Sequence, residues 1–192
     1  MKCLALAVAA TVLAAGCTAS GSRALLRQLD HAVQSTHALH YRFDMPDGYR
    51  RSVIDTRRDT FNGHPFDISR MVFFNGTSAV MVHAEAVADA SGASNYDDLP
   101  LTTISGLPFR ERPASCEDLA PADIAGEHDL EWLARQGFSP TGPLRIHQYL
   151  DATPDHNAEV VITLMARVDD CASGDATDAL ARVRADLSLR HW

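Results

Sequence analysis

Lysine is almost absent from this chain of 192 residues: Lys2 is the only one, so arginine supplies nearly all of the 17 basic side chains. They face 25 acidic residues, for a formal net charge of −8. That balance excludes the broad basic face that nucleic acid or an anionic lipid surface would require. Arginine as near-sole cation reads as codon usage in a GC-rich genome. Long apolar runs are scarce as well. The longest, Cys3–Ala15, falls short of the roughly 20 residues needed to cross a bilayer core. Also missing are a GxSxG elbow, an HExxH helix and a glycine-rich phosphate loop. The sequence therefore names no catalytic group and implies no cofactor.

What is present begins at the N-terminus. Lys2 precedes the apolar run, which ends in Leu13-Ala14-Ala15-Gly16-Cys17. A short basic start, an apolar stretch of this length and small residues at its end have the proportions of a signal peptide. The segment resembles the lipobox of bacterial lipoprotein signal peptides, with Leu13 one residue further from the cysteine than in the commonest pattern. The resemblance covers residues 1–17 only. It implies cleavage before Cys17, a diacylglyceryl group on the Cys17 thiol and an acyl chain such as palmitate on the new amino group. Each buried CH₂ contributes about 0.8 kcal/mol, and stable anchoring takes more than one chain. Three chains would hold the protein on a membrane without a spanning helix. Thr18, where enterobacterial inner-membrane lipoproteins carry Asp, implies the outer membrane. Thr18–Ser22 then form a short Ser/Gly/Ala tether of at most about 17 Å, which would keep the domain at the periplasm-facing surface.

This divides the chain into a signal peptide (1–16), a lipidated cysteine with tether (17–22) and one globular domain (23–192). Removing residues 1–16 leaves no lysine and brings the net charge to −9, since Lys2 leaves with the leader. Such an acidic surface permits a cationic protein partner. Of the four cysteines, Cys3 departs and Cys17 takes lipid. Cys116 and Cys171 remain as an even pair in an oxidising compartment, which predicts a disulfide.

Along the domain, Leu25, Leu26, Leu29 and Val33 fall on one stripe at helical spacing, with Ser22 as cap, and predict a helix to about Thr36. HYRFDM reads as a strand and Pro46-Asp47-Gly48 as a turn. RRSVIDTRRDT, with its apolar patch at Val53 and Ile54, reads as an edge strand or arm. Asn75-Gly76 predicts a two-residue type I′ hairpin. Met71, Phe73, Val80, Val82 and Ala84 would share one face and Ile68, Val72, Ala79, Met81 and His83 the other, as in an interior strand pair. A long polar stretch follows, with one strand near Leu101–Ile104. After Gly126 comes a short helix closed by Gly137, with Leu133 and Phe138 in contact across its end. A second hairpin spans residues 144–168, and Asp175 caps a last helix carrying Leu180, Val183 and Leu187. The pattern predicts an α+β fold: an antiparallel sheet built from hairpins with about three helices packed on one side.

Chemistry is less legible. The pairs His37/His40 and His83/Glu85 lack the third ligand a metal site needs, so no metal site is assigned. Tyr96, Asp97 and Asp98 read as a solvated acidic turn. Arg145, His147 and Tyr149 alternate with the apolar residues of their strand. With Arg167 on the next strand they form the only candidate binding surface, suited to an anion or a peptide. With no catalytic signature, the expectation is a non-enzymatic, lipid-anchored binding module of the cell envelope. Two alternatives stand beside it: an inhibitor or immunity protein against a cationic periplasmic hydrolase or toxin, and an envelope hydrolase whose site assembles only in space.

Overall fold

The computed structural model describes residues 22–172 and 176–192. The leader, Cys17 and the predicted cap Asp175 lie outside the described residues. The α+β expectation is overturned: among the described residues strands account for 48% and helices for 13%, in two antiparallel sheets with three short helices.

The first difference falls in the predicted N-terminal helix. Residues 26–35 instead form two short strands, β1 (Leu26–Gln28) and β2 (Ala32–Ser35), joined by a tight turn in which the Leu29 N–H donates to the Ala32 carbonyl at 2.9 Å. Leu25, Leu26, Ala32 and Val33 are all buried. The apolar positions that fit a helical stripe also fit a hairpin, and tertiary burial decides between them. β3 (Tyr41–Asp44) is the expected strand. With β13 (Ser188–His191), which carries no sequence signal, it completes a small sheet in the order β1-β2-β3-β13.

The large sheet is built on four long central strands. They are β6 (His64–Phe74), β7 (Ser78–Val87), β12 (Ala158–Arg167) and β11 (Gly142–Ala152), paired in that order. Each flank is shared by two shorter strands lying end to end. β4 (Arg50–Arg51) and β5 (Asp55–Phe61) pair successive parts of β6, so the charged RRSVIDTRRDT segment is a sheet edge. On the other flank, β9 (Leu107–Glu111) and β10 (Ser115–Leu119) pair successive parts of β11, and β8 (Leu101–Ile104) lies outside β9.

Both faces of the central strands are buried, as the β6–β7 pattern requires. On the inner face, Met71, Phe73, Val80, Val82, Val160, Ile162 and Leu164 pack against Val33, Tyr41 and Phe43 of the small sheet. Leu180, Val183 and Leu187, in and just after α3 (Ala176–Asp186), join the same core. The outer face is covered at one end by α2 (His128–Gln136), which follows the short α1 (Pro121–Ile124). Trp132, Leu133 and Phe138 pack there on Val72, Met81, Leu144 and Met165. The helices therefore cover both faces of the sheet. Gly137 closes α2 at φ 100°, as expected from sequence.

The Asn75-Gly76 loop differs in detail. Phe74 pairs with Ala79 and Met71 with Val82, two residues beyond the two-residue register. The Asn75 side-chain oxygen accepts the Thr77 and Ser78 N–H groups at 2.9 and 2.8 Å, an Asx turn that needs no positive φ at Gly76. A shift of two leaves every side chain on its predicted face. The positive-φ pairs expected of type I′ turns occur instead at Asn62-Gly63 (52° and 84°), between β5 and β6, and at Ser105-Gly106 (51° and 81°), between β8 and β9.

The Cys116–Cys171 disulfide is present, with Cα atoms 5.6 Å apart. Cys116 lies within β10 rather than in the loop before the middle helix, and the bridge fastens this edge strand to the chain leaving β12.

Candidate functional site

The surface expected around Arg145, His147, Tyr149 and Arg167 does not assemble. Tyr149 pairs with Ile162 and His147 with Leu164, so this side of β11 faces the inner core. The Tyr149 hydroxyl bonds His147 Nδ1 at 2.8 Å, and Arg184 of α3 lies over the Tyr149 ring. Arg167 pairs with Leu144 and sits on the opposite face, over Phe138. The alternation was legible, but partner strands place directly opposed residues on one face, and the true register joins these polar residues to the apolar row of β12. His37 and His40 also part. The His37 Nδ1 accepts the Leu39 N–H and its Nε2 lies 2.8 Å from the Glu159 carbonyl, while His40 packs edge-on against Trp192.

A different group converges on the outer face, beside the part covered by α2. Here β6, β7 and β12 place Arg70, His83, Glu85 and Glu159 among apolar neighbours. Arg70 is 3% exposed, lies over the Trp132 ring at 4.5 Å and ion-pairs with Asp55 at 2.8 Å and with Asp129 of α2. His83 Nδ1 donates to Glu85 Oε1 at 2.9 Å, and His83 Nε2 approaches Asp129 at 3.7 Å. Glu85 stands directly opposite Glu159. A line of charge thus runs across the sheet from Asp55 through Arg70, Asp129, His83 and Glu85 to Glu159.

Four of these residues, Asp129, His83, Glu85 and Glu159, line the floor of an open cleft of about 580 Å³. Phe61 and Phe66 at the tip of the β5–β6 hairpin wall one side, and the loop carrying Tyr96, Asp98 and Leu99 walls another. Gln148, Leu150 and Val161 complete the floor. Asp97 and Asp98 are exposed, as expected of a solvated turn, but Tyr96 turns inward, with Arg112 over its ring at 5.9 Å.

The electrostatics follow from burial. Burial raises the Glu159 carboxyl, the charge of Glu85 adds to the rise, and it is pushed up to about 8. Burial and the same carboxyl raise Tyr96. For His83, burial acts downward, but the Glu85 hydrogen bond and the charge of Asp129 outweigh it and the net shift is upward. Asp129 is held low because His83, Arg70 and Arg57 outweigh its burial. Two buried polar atoms of cleft-lining residues, His83 Nε2 and Glu159 Oε2, have no hydrogen-bond partner. Buried polar groups are nearly always satisfied in folded proteins, so these two atoms mark where a bound group or an ordered water would complete the network. Chemically, the arrangement can accept hydrogen bonds, neutralise positive charge and hold or release one proton. Among the described residues, no group of three His, Cys, Asp or Glu is placed to hold a metal ion.

Of this site, the sequence exposed only the His83/Glu85 pair. Glu159, Arg70 and Asp129 were missed. The available signal was a charged residue inside a strand apolar on both faces, as Arg70 is in β6 and Glu159 at the start of β12.

The chain matches no family model, no curated protein and no solved structure.

Proposed function

We propose that this chain is a lipid-anchored binding protein of the cell envelope, and that the outer-face cleft is its ligand site. The observation that carries the reading is the pair of unsatisfied buried atoms, His83 Nε2 and Glu159 Oε2, in an open cleft with aromatic walls. Its volume of about 580 Å³ suits a small molecule or one end of a peptide. The lipobox-like segment ending at Cys17 supports anchoring through acyl chains. Thr18 supports the outer membrane, with the domain facing the periplasm. The short tether would present the cleft near the bilayer.

A second reading is favoured by one observation. Glu85 and Glu159 are adjacent carboxyls, and burial with the charge of Glu85 raises Glu159, an arrangement that can serve general acid–base catalysis in a hydrolase. The two readings separate on the fate of the bound molecule. Full-length protein in detergent is incubated with an extract of its own envelope and examined by native mass spectrometry. The binding reading predicts an adduct that is released unchanged on denaturation and is lost in Glu159→Gln. Turnover of that molecule into fragments would favour the hydrolase. An identical adduct in Glu159→Gln would remove the cleft from both.

A further inference from the structure

The Glu85–Glu159 pair is the least ordinary feature of the cleft. Two carboxylates directly opposed on neighbouring strands repel each other, and both residues are buried, at 8% and 3% exposure. Arg70 is engaged by Asp55 and Asp129, and Arg112, which lines the cleft, lies over the Tyr96 ring. Glu85 accepts from His83, whereas Glu159 Oε2 has no partner. The lining as a whole holds four carboxyls, from Glu85, Asp98, Asp129 and Glu159, against the two basic groups His83 and Arg112. The adjoining walls are Phe61, Phe66 and Tyr96, whose ring faces attract cations.

We propose that the cleft binds a small organic cation, whose ammonium or guanidinium end docks on the Glu85–Glu159 pair while its apolar stem lies against Phe61, Phe66 and Tyr96. This inference rests on the cleft being a ligand site and adds the chemical class of the ligand. A hydrogen-bond donor fits because the free carboxyl oxygen, once its proton is displaced, can only accept. An apolar stem is required because the walls beyond it are aromatic.

The balance of the step is simple. At neutral pH Glu159 holds a proton, which the arriving cation displaces to solvent, so charge in the cleft is conserved. Affinity therefore rises as pH approaches about 8, the value to which Glu159 is pushed. The titratable and charged groups facing Glu159 are Glu85 and His83 on β7, Tyr96 and Asp98 on the loop, Arg112 after β9 and Asp129 on α2.

The test uses full-length protein in detergent and titration calorimetry with agmatine as probe, 1-pentanol as neutral control and glutarate as anionic control. Agmatine should bind, with proton release measured from the difference between two buffers of unlike ionisation heat. Glu159→Gln, isosteric with the protonated carboxyl, should fold and should weaken binding by about 10–100-fold, the value of a charge-assisted hydrogen bond. Glu85→Gln provides a second variant should Glu159→Gln fail to fold, and should weaken binding likewise. Agmatine binding no better than 1-pentanol, or unchanged in folded variants, overturns the inference. Binding of glutarate in place of agmatine, lost on cleft substitution, overturns the cation but leaves the ligand site standing. Binding of none of the three overturns the cation, and the envelope-extract experiment then decides the cleft separately.

Discussion

Glu85 and Glu159 are direct partners across β7 and β12, and both side chains belong to the cleft floor. Burial and the neighbouring carboxylate make the folded state hold a proton on Glu159 up to about pH 8, where a free glutamate titrates near 4.5. Between those values the folded state binds more protons than the unfolded chain, so this group's contribution to stability falls as pH rises. It is fully present below about 4.5 and is lost through about 8. Urea denaturation of wild type and Glu159→Gln across that window checks the sign. The variant should gain on wild type as pH increases. Parallel stability curves would show that Glu159 titrates normally.

Cys116 and Cys171 close a loop with a sequence separation of 55 residues. Chain-entropy arguments give about 4 kcal/mol for such a loop as an upper estimate. At roughly 2–4 °C per kcal/mol for a domain of this size, the Cys116→Ser/Cys171→Ser protein should melt about 8–16 °C lower while keeping its strand content. An unchanged melting temperature would mean that the β10 edge is held without the bridge.

The two Asn-Gly dipeptides should respond differently to substitution. Gly63 sits at φ 84° and Gly76 outside the positive-φ region. A Cβ at either position meets no atom within 4 Å, so only backbone conformation separates them. Gly63→Val should cost about 1–3 kcal/mol and lower the melting temperature. Gly76→Val should leave it within about 2 °C. The reverse ranking in thermal melts would place the type I′ turn at the wrong dipeptide.

These glycines show how far the sequence could be read. Alternation assigned the faces of β6 and β7 correctly, because the register differs from the expected one by an even two residues, which preserves the side each residue takes. It could not fix the loop, because the Asn75 side chain supplies an Asx turn in place of the positive-φ pair. The N-terminal stripe failed for a related reason. Leu25, Leu26 and Val33 satisfy helical spacing, but the hairpin buries them between two sheets that local pattern cannot foresee. The cleft was hidden because Glu85 and Glu159 lie far apart in sequence and meet only through the β7–β12 register. Cys116 and Cys171 were legible by counting.

The anchoring proposal has a direct biochemical consequence. Wild-type protein grown with labelled palmitate should carry label, with a mature N-terminus at Cys17 by mass spectrometry of the membrane fraction. Cys17→Ser should lose the label and leave that fraction. A mature chain cut elsewhere and free of acyl mass would remove the lipid anchor from the account.

The most direct test of the central claim, that the outer-face cleft is the working surface, is site-specific photo-crosslinking in the native envelope. A photoreactive residue replaces Asp98 at the exposed lip of the cleft, and another replaces Val53, which is 69% exposed and lies outside the cleft lining. The account predicts a defined adduct at position 98, absent at position 53 and abolished when Glu159→Gln is combined with the probe. Equal labelling at both positions, or an adduct at 98 indifferent to Glu159, would contradict it.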